Sequence, residues 1–246
     1  MKHILGLNVK SVAAVIAITL VITACKKADD PPPILFNTSI DYGNMTDKDG
    51  NIYRTVIIGD QVWMAENLRV TQFRNGDPVP IISDDDQWIN SRTAACCIYN
   101  NDIENKEIYG LFYNWYAVSD YRLLAPAGWH IPSDNEWEKL SDYLGGLAAA
   151  GAKLKETGSS HWLDSYDCRN DGSNESGFSA LPSGFRSYPH FNKTFWYNGF
   201  YGRWWTITEE DEDMAWIREL YTCSSELSRF SDIKDHGYSV RCIKDE

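Results

Sequence analysis

The stretch AGWHIPSDNEWEKLSDYLGG, Ala127 to Gly146, constrains the fold more than any other part of the chain, because both ends of one helix are written into it. Ser133 followed three residues later by Glu136 is a capping box: the serine hydroxyl accepts from the Glu136 amide while the Glu136 carboxylate accepts from the Ser133 amide. Asp134 adds negative charge at the positive end of the helix dipole, and Pro132 discourages a helical start further upstream. Trp137, Leu140 and Leu144 recur at spacings of three and four and make one apolar stripe, and Gly145-Gly146 ends the helix. Each carboxylate therefore has a structural task. His130 has no partner motif, so it is read as a satisfied structural histidine rather than a catalytic one.

Around this helix the text is short strand and turn. DKDGN, Asp47 to Asn51, carries the Asp-Gly hairpin signal; IYRTVIIG follows as a β-branched run, and Gly59-Asp60 turns the chain into QVWMAENL, which opens a β-meander. Asp47, Asp49 and Asn51 are turn formers rather than a calcium loop, since the glutamate that would close such a loop is missing. SDDDQWINSR, Ser83 to Arg92, reads as a short helix capped by Ser83. YGLFYNWYAV is nearly all apolar or aromatic and must be buried. RWWTIT, AWIRELYT and GYSVRCIK are the final strands, with EEDED, Glu209 to Asp213, as an acidic turn between the first two. Strands, two capped helices and long loops make an α+β chain.

The N-terminus is a targeting segment. Lys2 and Lys10 precede an uncharged apolar run, Ser11 to Ala24, shorter than the about 20 residues a stable span needs. Ile22-Thr23-Ala24-Cys25 resembles the bacterial lipobox, which implies a signal peptide over residues 1–24 and lipidation of Cys25. Several acyl chains, at about 0.8 kcal/mol per buried CH₂, would anchor the chain stably. Lys26 after the cysteine implies outer-membrane delivery, and KKADD looks like the surface-export signal of Bacteroidetes lipoproteins. DDPPP then reads as a stiff tether, so residues 25–39 are the lipidated cysteine and Pro-rich tether and residues 40–246 the domain.

A net charge of −12 over 246 residues excludes a nucleic-acid partner. No G-x-S-x-G, H-E-x-x-H or P-loop occurs, so no catalytic residue is assigned and the chain is read as a non-enzyme. Phe185 to Trp205 holds ten aromatics in twenty-one residues, too dense a cluster to bury completely, and exposed rings beside polar groups suit sugar rings or a protein partner. Trp196, Tyr197, Tyr201 and Trp204 are the expected contacts, with Asn192, Asn198 and Arg203 orienting hydroxyls. Asp167, Asn170, Asp171, Asn174 and Glu175 offer oxygen ligands for a hard cation such as Ca²⁺, although solvated loop is the plainer reading. Besides Cys25 there are five cysteines, an odd number, which points to structural bridges with one spare thiol.

DKDGNIYRTVIIGDQVWMAENLR, CIYNND, YGLFYNWYAV, AGWHIPSDNEWEKLSDYLGG, GAKLKETGSSHW, NESGFSALPSGFR, WWTITEED and GYSVRCIKD occur together and in order. By these motifs the chain, from about Ile40 to Asp245, is identified as a member of the Fibrobacter succinogenes major paralogous domain family. That family is distantly similar to the formylglycine-generating, sulfatase-modifying branch of the C-type lectin fold, which implies two main helices around a small twisted antiparallel sheet with long loops. The C-x-x-x-x-C copper pair of those enzymes is absent, as are the Glu-Pro-Asn and Trp-Asn-Asp triplets of sugar-binding lectins. The family positions imply a Cys97–Cys242 disulfide, leaving Cys168–Cys223 as a local bridge and Cys96 free. The expected function is that of a non-enzymatic outer-membrane or cell-surface lipoprotein, held to the membrane by its lipid and binding glycan or a surface protein. The alternatives are a metal-dependent enzyme of the formylglycine-generating type and a structural subunit of a surface assembly.

Overall fold

The computed structural model describes residues 31–190 and 193–246; the signal peptide and Cys25 lie outside the described residues. In chain order the elements are β1 (Gly43–Thr46), β2 (Ile52–Ile58), β3 (Gln61–Met64), α1 (Asp85–Ile89), β4 (Cys96–Cys97), α2 (Glu104–Tyr109), β5 (Phe112–Tyr113), α3 (Trp115–Val118) and β6 (Trp129–His130). α4 (Asp134–Tyr143) and α5 (Leu147–Leu154) follow, then β7 (Phe185–His190), β8 (Lys193–Trp196), β9 (Tyr201–Glu209), β10 (Met214–Tyr221), β11 (Leu227–Ile233) and β12 (Ile243–Lys244). One antiparallel sheet runs β1-β2-β3-β12-β6, so the last strand enters between β3 and β6 and brings the chain end beside His130. A second runs β11-β10-β9, and β4-β5 and β7-β8 form small ribbons. The architecture is α+β, with strand outweighing helix.

The first hairpin forms for the reason its sequence suggests. Asp47 accepts from the Asn51 backbone N–H at 2.9 Å and from the Asn51 side chain and Tyr53 hydroxyl at 2.7 Å, so its carboxylate closes the turn. Gly59 takes a φ of 65° in the next turn, a left-handed conformation that glycine adopts at little cost. β2 buries Tyr53, Thr55, Val56 and Ile58 and leaves Ile52 and Ile57 outside, its alternation slipping by one residue where Thr55 and Val56 are both buried.

The capping box of α4 is present: Ser133 N–H donates to Glu136 Oε2 at 2.7 Å and Glu136 N–H to Ser133 Oγ at 3.3 Å. Trp137 and Leu140 are completely buried, and the Trp137 ring lies 4.9 Å from Trp63, 5.7 Å from Phe178 and 6.3 Å from Trp204. Burying each such ring stabilises by about 2–3 kcal/mol. Under this cluster Arg241, fully buried, donates to Asn67 Oδ1 (2.9 Å) and to the carbonyls of Met64, Phe178 and Ser179, with the Phe178 ring 4.2 Å from the guanidinium. Burial without a contacting carboxylate pulls its pKa down to about 9.

Four details differ from the sequence reading. α1 is capped by Asp84, which accepts from Gln87 N–H at 2.8 Å, while Ser83 offers its carbonyl to Arg186. α5 lies where the sequence reading places no helix, because alanines draw only a faint apolar stripe. Its Gly151 sits on the Ser225 and Glu226 carbonyls, 2.6 Å from where a Cβ would stand. β11 escapes notice because LSRFSDI alternates polar with half-buried positions. Finally, the tether is docked from Pro32 onward: Pro32 O accepts from His161 Nε2, Leu35 N–H donates to Glu156, and Asn37 Nδ2 donates to Asn174 O. Among the described residues no helix is long and apolar enough to cross a membrane.

Candidate functional site

β9 and β10 pair Tyr201 with Tyr221, Arg203 with Glu219 and Trp205 with Ile217. Side chains alternate across a strand, so Tyr201 and Arg203 share one face while Trp204 points to the other. Trp204 is completely buried, packs on Trp137 and Phe178, and donates from Nε1 to Asn67 Oδ1 at 2.9 Å. It is a core residue, which corrects its assignment as a ligand contact. On the other face a strip of rings remains partly open to water. Tyr201 and Tyr221 stack at 4.7 Å and 21°, Tyr197 lies 5.2 Å from Tyr201, and Trp196 lies 5.9 Å from Tyr197. Tyr197 is 53% exposed and holds a φ of 58°, where a bulky residue costs on the order of 1–2 kcal/mol. Tyr221 was missed from the sequence; pairing it opposite Tyr201 needs the strand register.

Arg203 lies beside the strip and binds the sheet together. Its Nε donates to Glu219 Oε2 at 2.5 Å, its Nη1 to the Tyr238 hydroxyl at 3.3 Å, and its guanidinium covers Phe185 at 4.0 Å. Asp232 joins the network, accepting from the Tyr238 hydroxyl at 2.5 Å and facing His236 Nδ1 at 3.1 Å. Burial pushes the Glu219 carboxyl up despite the Arg203 charge. Burial would raise Asp232 as well, but the His236 hydrogen bond and charge and the Tyr238 hydroxyl hold it below the usual carboxylate range. Asn198 is half-buried, its backbone bonded to the Tyr99 side chain, and Asn192 lies outside the described residues. Of the seven residues expected to bind ligand, Trp196, Tyr197 and Tyr201 therefore form one surface with Arg203 at its side.

The five candidate calcium ligands do not converge. Asp171 pairs with buried Lys155 and accepts from Ser225 Oγ; Asn170 donates to the Glu156 and Gly158 carbonyls; Asn174 is buried and bonded to Ser179. Asp167 accepts from Ser165 Oγ, and Glu175 lies 3.6 Å from Lys153. Among the described residues no group of three or more His, Cys, Asp or Glu side chains is gathered as a metal site.

Cys168 and Cys223 are bonded, tying this loop to the chain just after β10. Cys97 and Cys242 are not: both are free and buried, as is Cys96. Consecutive residues of β4 point to opposite faces, so Cys97 enters a small cluster with Trp88 and Phe112 while Cys96 enters the main core that contains Cys242. Burial pushes the Cys97 thiol up to about 12, and Cys96 and Cys242 upward as well, which makes all three poor nucleophiles.

His130 does have partners. Its Nε2 meets Glu136 Oε1 at 2.7 Å and its Nδ1 meets Asp245 Oδ1 at 2.8 Å. Asp245 is 115 residues away in sequence and arrives only because β12 pairs with β6. Burial would lower the His130 pKa, but the two carboxylates raise it above its ordinary value. Both ring nitrogens are thus engaged by carboxylates, and the other Glu136 oxygen accepts from the Ser133 amide and hydroxyl. A cleft of about 360 Å³ is lined by Lys48, Gln72, Phe73, Arg74 and Leu124, and its two cations are engaged with backbone carbonyls. Arg74 donates to the carbonyls of Ala125, Pro126 and Trp129, and Lys48 to that of Arg74.

No curated protein and no solved structure matches the chain. The family model described as the Fibrobacter succinogenes major domain matches residues 56–244, from within β2 to the end of β12. That span contains the capped helix, the aromatic strip and the strand that closes the first sheet: the chain belongs to the Fibrobacter succinogenes major domain family.

Proposed function

We propose that this chain is a non-enzymatic lipoprotein of the outer membrane or cell surface that binds glycan through Trp196, Tyr197, Tyr201 and Tyr221. The observation that carries the proposal is the row of partly exposed rings that runs from Trp196 at the end of β8 through Tyr197 to Tyr201 on β9 and Tyr221 on β10, with the Arg203–Glu219 pair beside it. Ring faces take the apolar face of a sugar, and a neighbouring charged pair offers hydrogen bonds to its hydroxyls. The lipobox-like Ile22-Thr23-Ala24-Cys25 supports the anchor. Two helices beside small antiparallel sheets, with long loops, support a C-type-lectin-like reading of the fold. Calcium is not required by a strip built of rings and an ion pair.

The double engagement of His130 and the high thiol pKa values weigh against a metal-dependent enzyme of the formylglycine-generating type. Stoichiometric copper or iron in purified protein would restore that alternative. The test of binding is a glycan array, with a parallel pull-down for surface proteins, using the detergent-solubilised full chain and its Tyr197→Ala/Tyr201→Ala variant. Glycan binding that the variant loses supports the proposal. Binding that the variant retains, or a protein partner with no glycan, overturns it.

A further inference from the structure

The segment that follows the anchor is fixed to the domain next to the aromatic strip. Pro32 O accepts from His161 Nε2 at 3.0 Å, and Leu35 N–H donates to the Glu156 carboxylate. His161 and Glu156 are buried and bonded to each other at 2.6 Å, so releasing the segment would cost each of them a hydrogen bond away from water. The Tyr109 ring meets His161 edge-on at 5.8 Å. Leu163 N–H donates to Gly199 O at 2.8 Å, inside the turn from Tyr197 to Tyr201, and Leu163 O accepts from Thr222 Oγ1 at 2.9 Å, beside Tyr221. Leu35, Leu163, Tyr166 and Tyr197 are all exposed on these segments.

Only six residues lie between Cys25 and Pro32, seven Cα–Cα steps with a reach of at most about 25 Å. We propose that the aromatic strip faces the bilayer that carries the anchor, and that it takes the sugar headgroup of a glycolipid in that same membrane. This rests on the reading of Cys25 as lipidated and of the strip as glycan-binding. Exposed leucine and tyrosine side chains suit the headgroup level, where amphipathic rings partition. Asp164, Asp167 and Arg169 are exposed on the same loop as Tyr166, with Arg169 4.0 Å from Asp164, which leaves the loop one negative charge that disfavours a bare anionic phosphate surface and tolerates a neutral sugar.

The test uses the full lipidated chain in phosphatidylcholine vesicles, with and without digalactosyl diacylglycerol, carrying a nitroxide at Tyr166→Cys or at Tyr121→Cys. The buried native thiols escape labelling. Nickel-chelating lipids should broaden the Tyr166 label much more than the Tyr121 label. The glycolipid should immobilise the Tyr166 label further, and Tyr197→Ala/Tyr201→Ala should reduce that change at least fivefold. A Tyr166 label no closer to the bilayer than the Tyr121 label overturns the proposal, while glycan-array binding by the same protein would leave the glycan reading standing. A label near the bilayer that the glycolipid does not affect overturns the headgroup assignment. Absence of acyl mass on the Cys25 peptide removes the anchor itself.

Discussion

Replacing Glu136 with alanine tests whether this carboxylate is a structural group. One of its oxygens accepts from the Ser133 amide and hydroxyl at 2.7 Å, and the other meets His130 at 2.7 Å. Losing the Glu136 half of the capping box costs about 1 kcal/mol, while Ser133 Oγ keeps the backbone N–H of residue 136. The His130 pair, with its ring 39% exposed, adds no more than about 1 kcal/mol after solvent screening. A total near 1.5 kcal/mol corresponds to a Tm lowered by about 3–6 °C in a domain of this size. The two parts separate by pH. Burial would lower the His130 pKa, but Glu136 and Asp245 raise it in the folded state. Its stabilisation is therefore fully present below the unfolded value of about 6.5 and lost as pH rises through the folded value. The Glu136 pKa is lowered, the Ser133 and His130 bonds outweighing burial, so its contribution is present above its unfolded value and lost as pH falls through the folded one. The gap between wild type and Glu136→Ala, read by circular dichroism melts, should be largest near pH 5.5. It should shrink near pH 9 to the cap contribution, because the Ser133 amide does not titrate. A gap that widens with pH, or no gap at either pH, refutes the reasoning.

Other perturbations follow from the same contacts. Trp204→Ala should cost about 3–5 kcal/mol in denaturant melts, the penalty for emptying a packed aromatic site. Arg241→Met should cost about 1–3 kcal/mol for each of the Met64, Phe178 and Ser179 carbonyls that is left without a donor. Non-reducing peptide mapping should find Cys168–Cys223 alone, with Cys96, Cys97 and Cys242 alkylated only after unfolding. Cys168→Ser should lower stability by about 2–4 kcal/mol, because the bridge closes a loop across a separation of 55 residues.

Local signals were legible where short-range chemistry decides structure. The Ser133–Glu136 box and the Asp47 turn both depend on partners within a few residues, and both stand as their sequences suggest. The aromatic cluster was visible as a density of rings, but its division into core and surface depends on strand parity. Choosing Arg203 and Trp204 together ignores that neighbours on β9 face opposite ways. Adjacent Cys96 and Cys97 repeat the lesson: one position in register separates the main core from a satellite cluster. The His130–Asp245 contact and the Tyr201–Tyr221 stack require pairings across the fold, which no short window of sequence contains. α5 was hidden for another reason, since its small residues are chosen for close approach to the Ser225 and Glu226 carbonyls rather than for an apolar stripe.

The proposed division of labour puts recognition on the rings from Trp196 to Tyr221 and structural support at the end of α4. It is tested most directly by titrating the best oligosaccharide from the array into the full chain, Tyr201→Ala and Glu136→Ala side by side, below the melting range of all three. Affinity at least tenfold weaker for Tyr201→Ala, with Glu136→Ala matching the wild type, is the predicted result. Lost affinity in Glu136→Ala alongside an unaffected Tyr201→Ala would contradict the account.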